Sequence, residues 1–137
     1  MLKKRRVRPP AVSIRKTIRS AVPKIPFEEI ATEILSEHYD LSLVLCGDVL
    51  AKRMNRTYRK KTYSPNVLSF PLDRHEGEIF LNIECARREA RKYGVPLRER
   101  IALLFVHGCF HLKGLDHGKK MESAERAILT SFKLVGK

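Results

Sequence analysis

The segment LRERIALLFVHGCFHLKGLDH, residues 97–117, decides how this chain folds. Its apolar residues recur every three or four positions, which is the spacing of an amphipathic helix. Pro96 suits the first turn of that helix, and Gly114 suits its end. We therefore expect a central helix whose inner stripe faces the core of the protein. The residues of that stripe are Leu97, Ile101, Leu104, Phe105 and Gly108.

Three histidines stand at the end of this predicted helix. His107 and His111 are four residues apart, so a helix projects both from one face, and Gly114 lets the chain turn back towards them with His117. Imidazole is the commonest metal ligand, and three imidazoles leave one position of a zinc ion open. The spacing predicts a catalytic site in which His107, His111 and His117 bind one Zn²⁺.

The same spacing, His-x-x-x-His-x-x-Gly-x-x-His, is that of zinc proteases in which a glutamate follows the first histidine. In this chain that position is Gly108, which has no side chain to move a proton. The pattern keeps the ligands of a zinc hydrolase and lacks the base of a protease. It argues against peptide hydrolysis and favours a phosphodiester substrate, whose developing charge an arginine could stabilise.

Strands and helices alternate along the chain, which indicates an α/β (or α+β) fold with a small mixed sheet. We expect strands at 41–46, 66–71 and 77–82, of which the last two form an antiparallel hairpin. Val12 and Ile14 fit an edge strand or a short helix, and the strand is favoured. Asp48 is expected to cap a helix with Val49, Leu50 and Met54 on its inner face. Four to five helices should pack on the sheet. The first has about a dozen residues and follows Pro26, and the others lie at about 48–59, 83–93, 97–114 and 119–135.

A length of 137 residues suits one compact domain. Residues 1–10 are expected to form a flexible basic arm, and residues 11–137 the domain. No stretch approaches the roughly 20 apolar residues of a membrane span, and the basic start lacks the apolar segment of a secretion signal. The three scattered cysteines, Cys46, Cys85 and Cys109, predict packing residues in a reducing cytoplasm.

The charge of the chain is strongly basic, with 28 Lys and Arg against 15 Asp and Glu, a net +13. The first 24 residues hold nine basic residues and no acidic one. Such an excess favours a polyanionic partner, RNA or DNA, and the alternative is a solvated face or a disordered arm. A second basic run near the middle supplies the candidate RNA contacts, which are Lys52, Arg53, Arg56, Arg59, Lys60 and Lys61.

Several segments together resemble the YbeY family of bacterial zinc endoribonucleases. Residues 107–117 are similar to the family signature H-G-x-x-H-L-x-G-x-D-H, and residues 55–60, NRTYRK, resemble its N-x-x-Y-R stretch. The segment PNVLSFP, residues 65–71, resembles T-[DN]-V-L-S-F-P and departs from it at Pro65. The remaining matches are Gly77-Glu78-Ile79, which resembles G-[DE]-I, and Met121 and Glu125, which fall where the family has a methionine and an acid.

This resemblance implies a small mixed sheet packed by helices, zinc held by three histidines, and cleavage of single-stranded RNA. It also implies maturation of the 3′ end of small-subunit ribosomal RNA and a role in ribosome quality control, with the ribosome as partner and no membrane. It selects Arg59 as the arginine that binds the scissile phosphate beside the metal. The nucleophile stays open between water activated by the metal and a 2′-hydroxyl, and the oligomeric state is not indicated.

Some residues keep two interpretations at this point. Asp116 either orients a ligand histidine or closes the local turn. Tyr58, Tyr63 and Phe70 could stack on bases, but core packing is favoured. Two further activities compete with RNA cleavage: a non-catalytic ribosome-binding module with a structural zinc, and, less favoured, a zincin-like peptidase.

Overall fold

A computed structural model of the chain describes residues 8–135. Within them, four strands form one mixed sheet and five helices pack around it, as a single α/β domain of the predicted class. The strands are β1 (Ala11–Lys16), β2 (Asp40–Cys46), β3 (Val67–Asp73) and β4 (Glu76–Asn82). The helices are α1 (Phe27–Ile34), α2 (Asp48–Arg59), α3 (Ile83–Tyr93), α4 (Leu97–Leu112) and α5 (Lys119–Ser131).

The strands lie in the order β1-β2-β4-β3, in which β1, β2 and β4 are parallel and β3 is antiparallel to β4. The predicted edge strand and hairpin are therefore confirmed. The sequence pattern predicts that this strand ends at Pro71, but β3 continues to Asp73 with a register shift beyond the proline. Proline is tolerated there because β3 is an edge strand, where a missing backbone donor leaves no partner unpaired.

The two faces of the sheet are covered unequally. Alternate residues of β2 and β4 point to opposite faces, so Leu43 and Ile79 enter the large core while Val44 and Phe80 enter a small one. Buried residues of α1, α3, α4 and α5 join the large core, whereas Ala51 of α2 joins the small one. Helix α2 thus packs on the side of the sheet opposite to α4.

Helix α4 is the central helix that the sequence predicts. It contacts α1, α3, α5, β3 and β4. Ile101 and Phe105 of the expected stripe are fully buried, and the ring of Phe105 meets Phe27 edge to face at 4.8 Å between centroids. Val106 and Cys109 are buried as well, so α4 is apolar around most of its circumference.

Two helices end earlier than their patterns predict. Helix α1 stops at Ile34 because Leu35 is extended, although Leu35 is still buried. Helix α5 stops at Ser131 instead of reaching Val135. Lys133 has a left-handed backbone (φ 58°), which lets the Leu134 N–H donate to the Leu129 carbonyl and returns Leu134 to the core.

The expectations for the start of α2 need correction. Gly47 is the N-cap residue, while Asp48 is the first residue of the helix and its carboxylate accepts hydrogen bonds from Asn82 and Arg88. Val49 was expected inside and is 76% exposed. Asn55 takes an inner position instead: it is fully buried, and its side-chain amide donates to the Tyr63 carbonyl at 3.0 Å.

Residues 1–7 of the predicted basic arm lie outside the described residues. In the remainder of that arm, Pro10 is buried, and Arg8 forms an ion pair with Asp40 at 3.1 Å. No helix in residues 8–135 is both long and apolar enough to cross a membrane.

Candidate metal centre

Three histidines meet where α4 ends and the loop to α5 begins. His107 and His111 occupy the last turns of α4, and His117 follows in the loop. The ring centroids lie 4.5 to 4.9 Å apart. One nitrogen from each ring lies within 4.8 Å of the other two, and the Nε2 atoms of His107 and His111 are 3.0 Å apart. The structure therefore assembles the trio that the spacing predicts.

The turn that brings His117 back depends on Gly114. This glycine has a φ of 97°, a conformation that a side chain would strain. Its N–H donates to the His111 carbonyl, and the Leu115 N–H donates to the Phe110 carbonyl, both at 3.0 Å. These two bonds form a Schellman motif, which ends α4 and reverses the chain.

The environment of His111 favours its neutral ring. Burial lowers the pKa of His111, and the neighbouring His107 and His117 rings lower it further, against a backbone hydrogen bond of Leu115 that raises it. A neutral imidazole keeps the lone pair that a metal requires. His117 is exposed, while His107 and His111 are half-buried, so the group can be reached from solvent.

A carboxylate stands behind the first histidine. Glu125 Oε2 lies 2.7 Å from His107 Nδ1, and Glu125 is only 7% exposed. Sequence reasoning noted an acid at this position but gave it no role. The available signal was an acidic residue on the inner stripe of α5, one turn after the buried Met121.

Gly108 faces the sheet instead of the metal. Its carbonyl accepts a hydrogen bond from Ser69 Oγ at 3.1 Å. A Cβ atom on residue 108 would lie 3.0 Å from Ser69 Oγ and 3.1 Å from Ile79 Cδ1. A glutamate at this position would have to displace these neighbours. The structure thus agrees with the inference that the protease base is missing.

Cysteines take no part in the centre. Cys109 is fully buried on the core side of α4, and burial raises the pKa of its thiol. Cys46 is buried in the small core, and Cys85 is half-buried; all three are free thiols. Among residues 8–135, no further His, Cys, Asp or Glu adds a ligand atom to the group formed by the three histidines. Three convergent imidazoles are a donor set that fits a metal ion such as zinc, with one position left for a substrate.

The predicted phosphate ligand and RNA contacts belong to α2 and to the residues that follow it. Arg59 is the last residue of α2, on the layer across the sheet from α4, and no hydrogen bond or ion pair joins it to the histidines in the described part of the chain. Its role beside the metal stays a prediction. The other candidates are exposed and form no ion pair within residues 8–135; they are Lys52, Arg53, Arg56, Lys60 and Lys61.

The remaining candidates have mixed outcomes. Asp116 is exposed and makes no side-chain hydrogen bond within residues 8–135, so its orienting role stays a prediction.

Phe70 packs on Phe80, as favoured, with 5.9 Å between ring centroids. The packing interpretation is wrong for Tyr63, which is 57% exposed, and Tyr58 is 65% exposed although its ring contacts Phe70. His38 and His75 are exposed.

Comparison with known proteins identifies the family of this chain. The model of the endoribonuclease YbeY family matches residues 7–133. The chain belongs to that family. An endoribonuclease YbeY of Bordetella petrii is 38% identical over 105 residues, which are 69% of this chain and 68% of the relative. One of Wolbachia is 36% identical over 112 residues, covering 73% and 75%. The resemblance drawn from the sequence motifs is thus confirmed.

A solved structure shares the family's fold. The solution structure of TM1509 from Thermotoga maritima superposes with a TM-score of 0.59 and covers 88% of this chain and 92% of its own. At 19% identity, this likeness supports the architecture alone.

Proposed function

We propose that this endoribonuclease YbeY family member is a zinc-dependent endoribonuclease that cleaves single-stranded RNA. The observation that carries the proposal is the group of three convergent histidines, open to solvent at the end of a buried helix. Three imidazoles favour zinc over magnesium or calcium, which prefer oxygen ligands. The net charge of +13 favours a polyanionic substrate.

The histidines, Arg59 and the basic residues of α2 would have different roles in RNA cleavage. His107, His111 and His117 would hold the metal. A zinc ion bound there would polarise a phosphoryl oxygen and lower the pKa of a water molecule. Arg59 would bind the scissile phosphate, for which its planar, bidentate guanidinium is suited. The basic residues of α2 and the residues after it would hold the RNA backbone by charge.

The biological setting is part of the same proposal. Family membership and the basic charge support maturation of the 3′ end of small-subunit ribosomal RNA and a role in ribosome quality control. The partners would be ribosomal RNA and the small subunit, in the cytoplasm. Small-subunit particles that carry an unprocessed 3′ end are therefore the second substrate to assay.

The experiment is cleavage of a labelled single-stranded RNA by zinc-loaded protein. We expect cleavage to vanish with chelator and in His111→Ala, and to return when zinc is restored to the wild type. Arg59→Ala should lower the rate by about 10²-fold or more, as loss of one charge-stabilising donor does in other enzymes. His75→Ala and Arg91→Ala, which change exposed residues of the same types, are the matched controls.

The possible results distinguish RNA cleavage from the two alternative functions. Unchanged rates in both His111→Ala and Arg59→Ala, with folding intact, would overturn the assignment. Salt-sensitive RNA binding without turnover, on free RNA and on small-subunit particles, would favour a structural zinc in a binding module. Peptide cleavage would favour the zincin-like peptidase, although the packing of Gly108 argues against a glutamate base at that position.

A further inference from the structure

We infer that Glu125 orients His107 towards the metal and thereby sets the metal affinity of the site. This inference rests on the metal centre of the proposed function, but not on RNA cleavage. The contact between Glu125 Oε2 and His107 Nδ1, at 2.7 Å, has the length of a charge-assisted hydrogen bond. Glu125 belongs to α5, whereas the ligands belong to α4 and the loop after it.

The two nitrogens of His107 have different partners. Nδ1 faces the carboxylate, and Nε2 lies 3.0 Å from Nε2 of His111, inside the histidine group. A carboxylate accepts hydrogen bonds and does not donate them, so the proton of the neutral ring belongs on Nδ1. The lone pair is then on Nε2, on the side where the metal would be bound. Glu125 therefore selects the tautomer of His107 that can act as a ligand.

The burial of Glu125 points to the same role. It lies on the inner stripe of α5 between Met121 and Leu129, which are 1% and 5% exposed. An unpaired carboxylate at such a position costs several kcal/mol more than an apolar side chain. Within residues 8–135, no lysine or arginine forms an ion pair with Glu125, and its hydrogen-bond partner is His107. Core packing alone gives no reason for an acid at this position, whereas a cation bound by His107 does.

The two ligands from α4 are supported by different groups. His111 has a backbone hydrogen bond with Leu115, and a peptide group carries no net charge. His107 has a carboxylate, which fixes the ring and partly balances the charge of a divalent cation. Removal of Glu125 should therefore weaken metal binding without removing a ligand.

The first test measures zinc binding by competition with a chromophoric chelator. Glu125→Gln keeps the size of the side chain and removes the charge, and we expect the zinc dissociation constant to rise about 10- to 100-fold. Glu125→Asp keeps the charge on a shorter side chain and should fall between the wild type and Glu125→Gln. The matched control is Glu122→Gln, an exposed acid one turn earlier in α5. An unchanged dissociation constant in Glu125→Gln would overturn the inference.

The second test does not depend on the stability of a variant. In the zinc-free wild type, ¹⁵N NMR of the histidine rings should show the proton of neutral His107 on Nδ1. A proton on Nε2 would overturn the inference. If the wild type binds zinc with the expected tautomer but cleaves no RNA, the proposed function fails and the role of Glu125 stands. If RNA is cleaved and Glu125→Gln binds zinc normally, the reverse holds.

Discussion

Gly108 shows, at the scale of one residue, how packing opposes a glutamate base within the ligand spacing of a zinc protease. The absence of a base was visible in the sequence. The physical reason was not, because it depends on contacts with Ser69 and Ile79, which are distant along the chain. The close approach of α4 to β3 and β4 means that a side chain at residue 108 would displace its neighbours. Packing and chemistry therefore restrict the same position.

Gly108→Ala measures that restriction. Alanine is favoured over glycine in a helix by about 1 kcal/mol, whereas overpacking a filled core costs about 1–3 kcal/mol. The contacts at 3.0 and 3.1 Å involve a hydrogen-bonded hydroxyl and a fully buried side chain, so neither can move easily. We expect a net loss of about 1 kcal/mol in the free energy of unfolding, measured with urea.

The Ser69→Ala background provides the control for this substitution. Without the hydroxyl, one of the two close contacts is removed, so Gly108→Ala should cost less there than in the wild type. If Gly108→Ala stabilises the protein by the whole propensity difference, the close approach of α4 to the sheet does not limit residue 108.

At the scale of elements, hydrogen bonds join the start of α2 to the start of α3, where β2 and β4 end. The side-chain oxygen Oδ1 of Asn82 accepts a hydrogen bond from the Cys85 N–H and so caps α3. The side-chain amide nitrogen of Asn82 donates to Asp48 Oδ1 at 2.9 Å and to the Pro65 carbonyl at 3.1 Å. Arg88 of α3 donates to both oxygens of Asp48, each at 2.8 Å. This junction fixes where α2 leaves the sheet.

Asp48→Asn tests the junction through its dependence on pH. The hydrogen bond from Arg88, and then that from Asn82, hold the pKa of Asp48 below its usual value against the opposing effect of burial. A lowered pKa in the folded state means that Asp48 stabilises the protein above its unfolded pKa of about 3.9 and loses this effect as the pH falls through the folded pKa. Because the side chain is 34% exposed, we expect only about 1 kcal/mol at pH 7.

Urea unfolding of the wild type and Asp48→Asn between pH 7 and pH 2.5 checks this expectation. The difference in unfolding free energy should be largest near neutral pH and should shrink in acid. Arg88→Ala should reproduce most of the loss at pH 7, whereas Arg91→Ala, which changes an exposed arginine one turn later, should not. A difference that does not vary with pH would show that the charge of Asp48 is not responsible.

For the whole molecule, local patterns predicted much of the architecture. The three- and four-residue spacing gave α4, the positions of Gly94 and Gly114 gave the ends of α3 and α4, and the histidine spacing gave the candidate ligands. Two kinds of information were missing. The pairing of Glu125 with His107 joins separate helices, and the exposure of Val49 depends on which side of α2 meets the sheet. Both are set by tertiary packing, which periodicity within one element does not contain.

The layer arrangement has a consequence for how RNA would be held. The basic residues of α2 are exposed on one side of the sheet, and the histidines lie at the end of a helix on the other side. Tyr58, at the C-terminal end of α2, contacts Phe70 of the edge strand β3. An RNA strand that reaches both surfaces would therefore pass around the β3 edge. Binding to α2 and metal binding should then be separable.

The double variant Lys52→Ala/Arg56→Ala tests this separation, because both residues are exposed on α2 and lie one turn apart. Each lost phosphate contact should reduce the slope of log affinity against log salt by about 0.7 for single-stranded RNA. We expect weaker binding, a slope reduced by up to about 1.4 and an unchanged zinc affinity. The control, Arg91→Ala/Lys92→Ala, removes the same charge from α3 on the other side of the sheet. Equal losses of RNA binding in the two variants would mean that net charge alone attracts the RNA and that the basic side of α2 has no specific role.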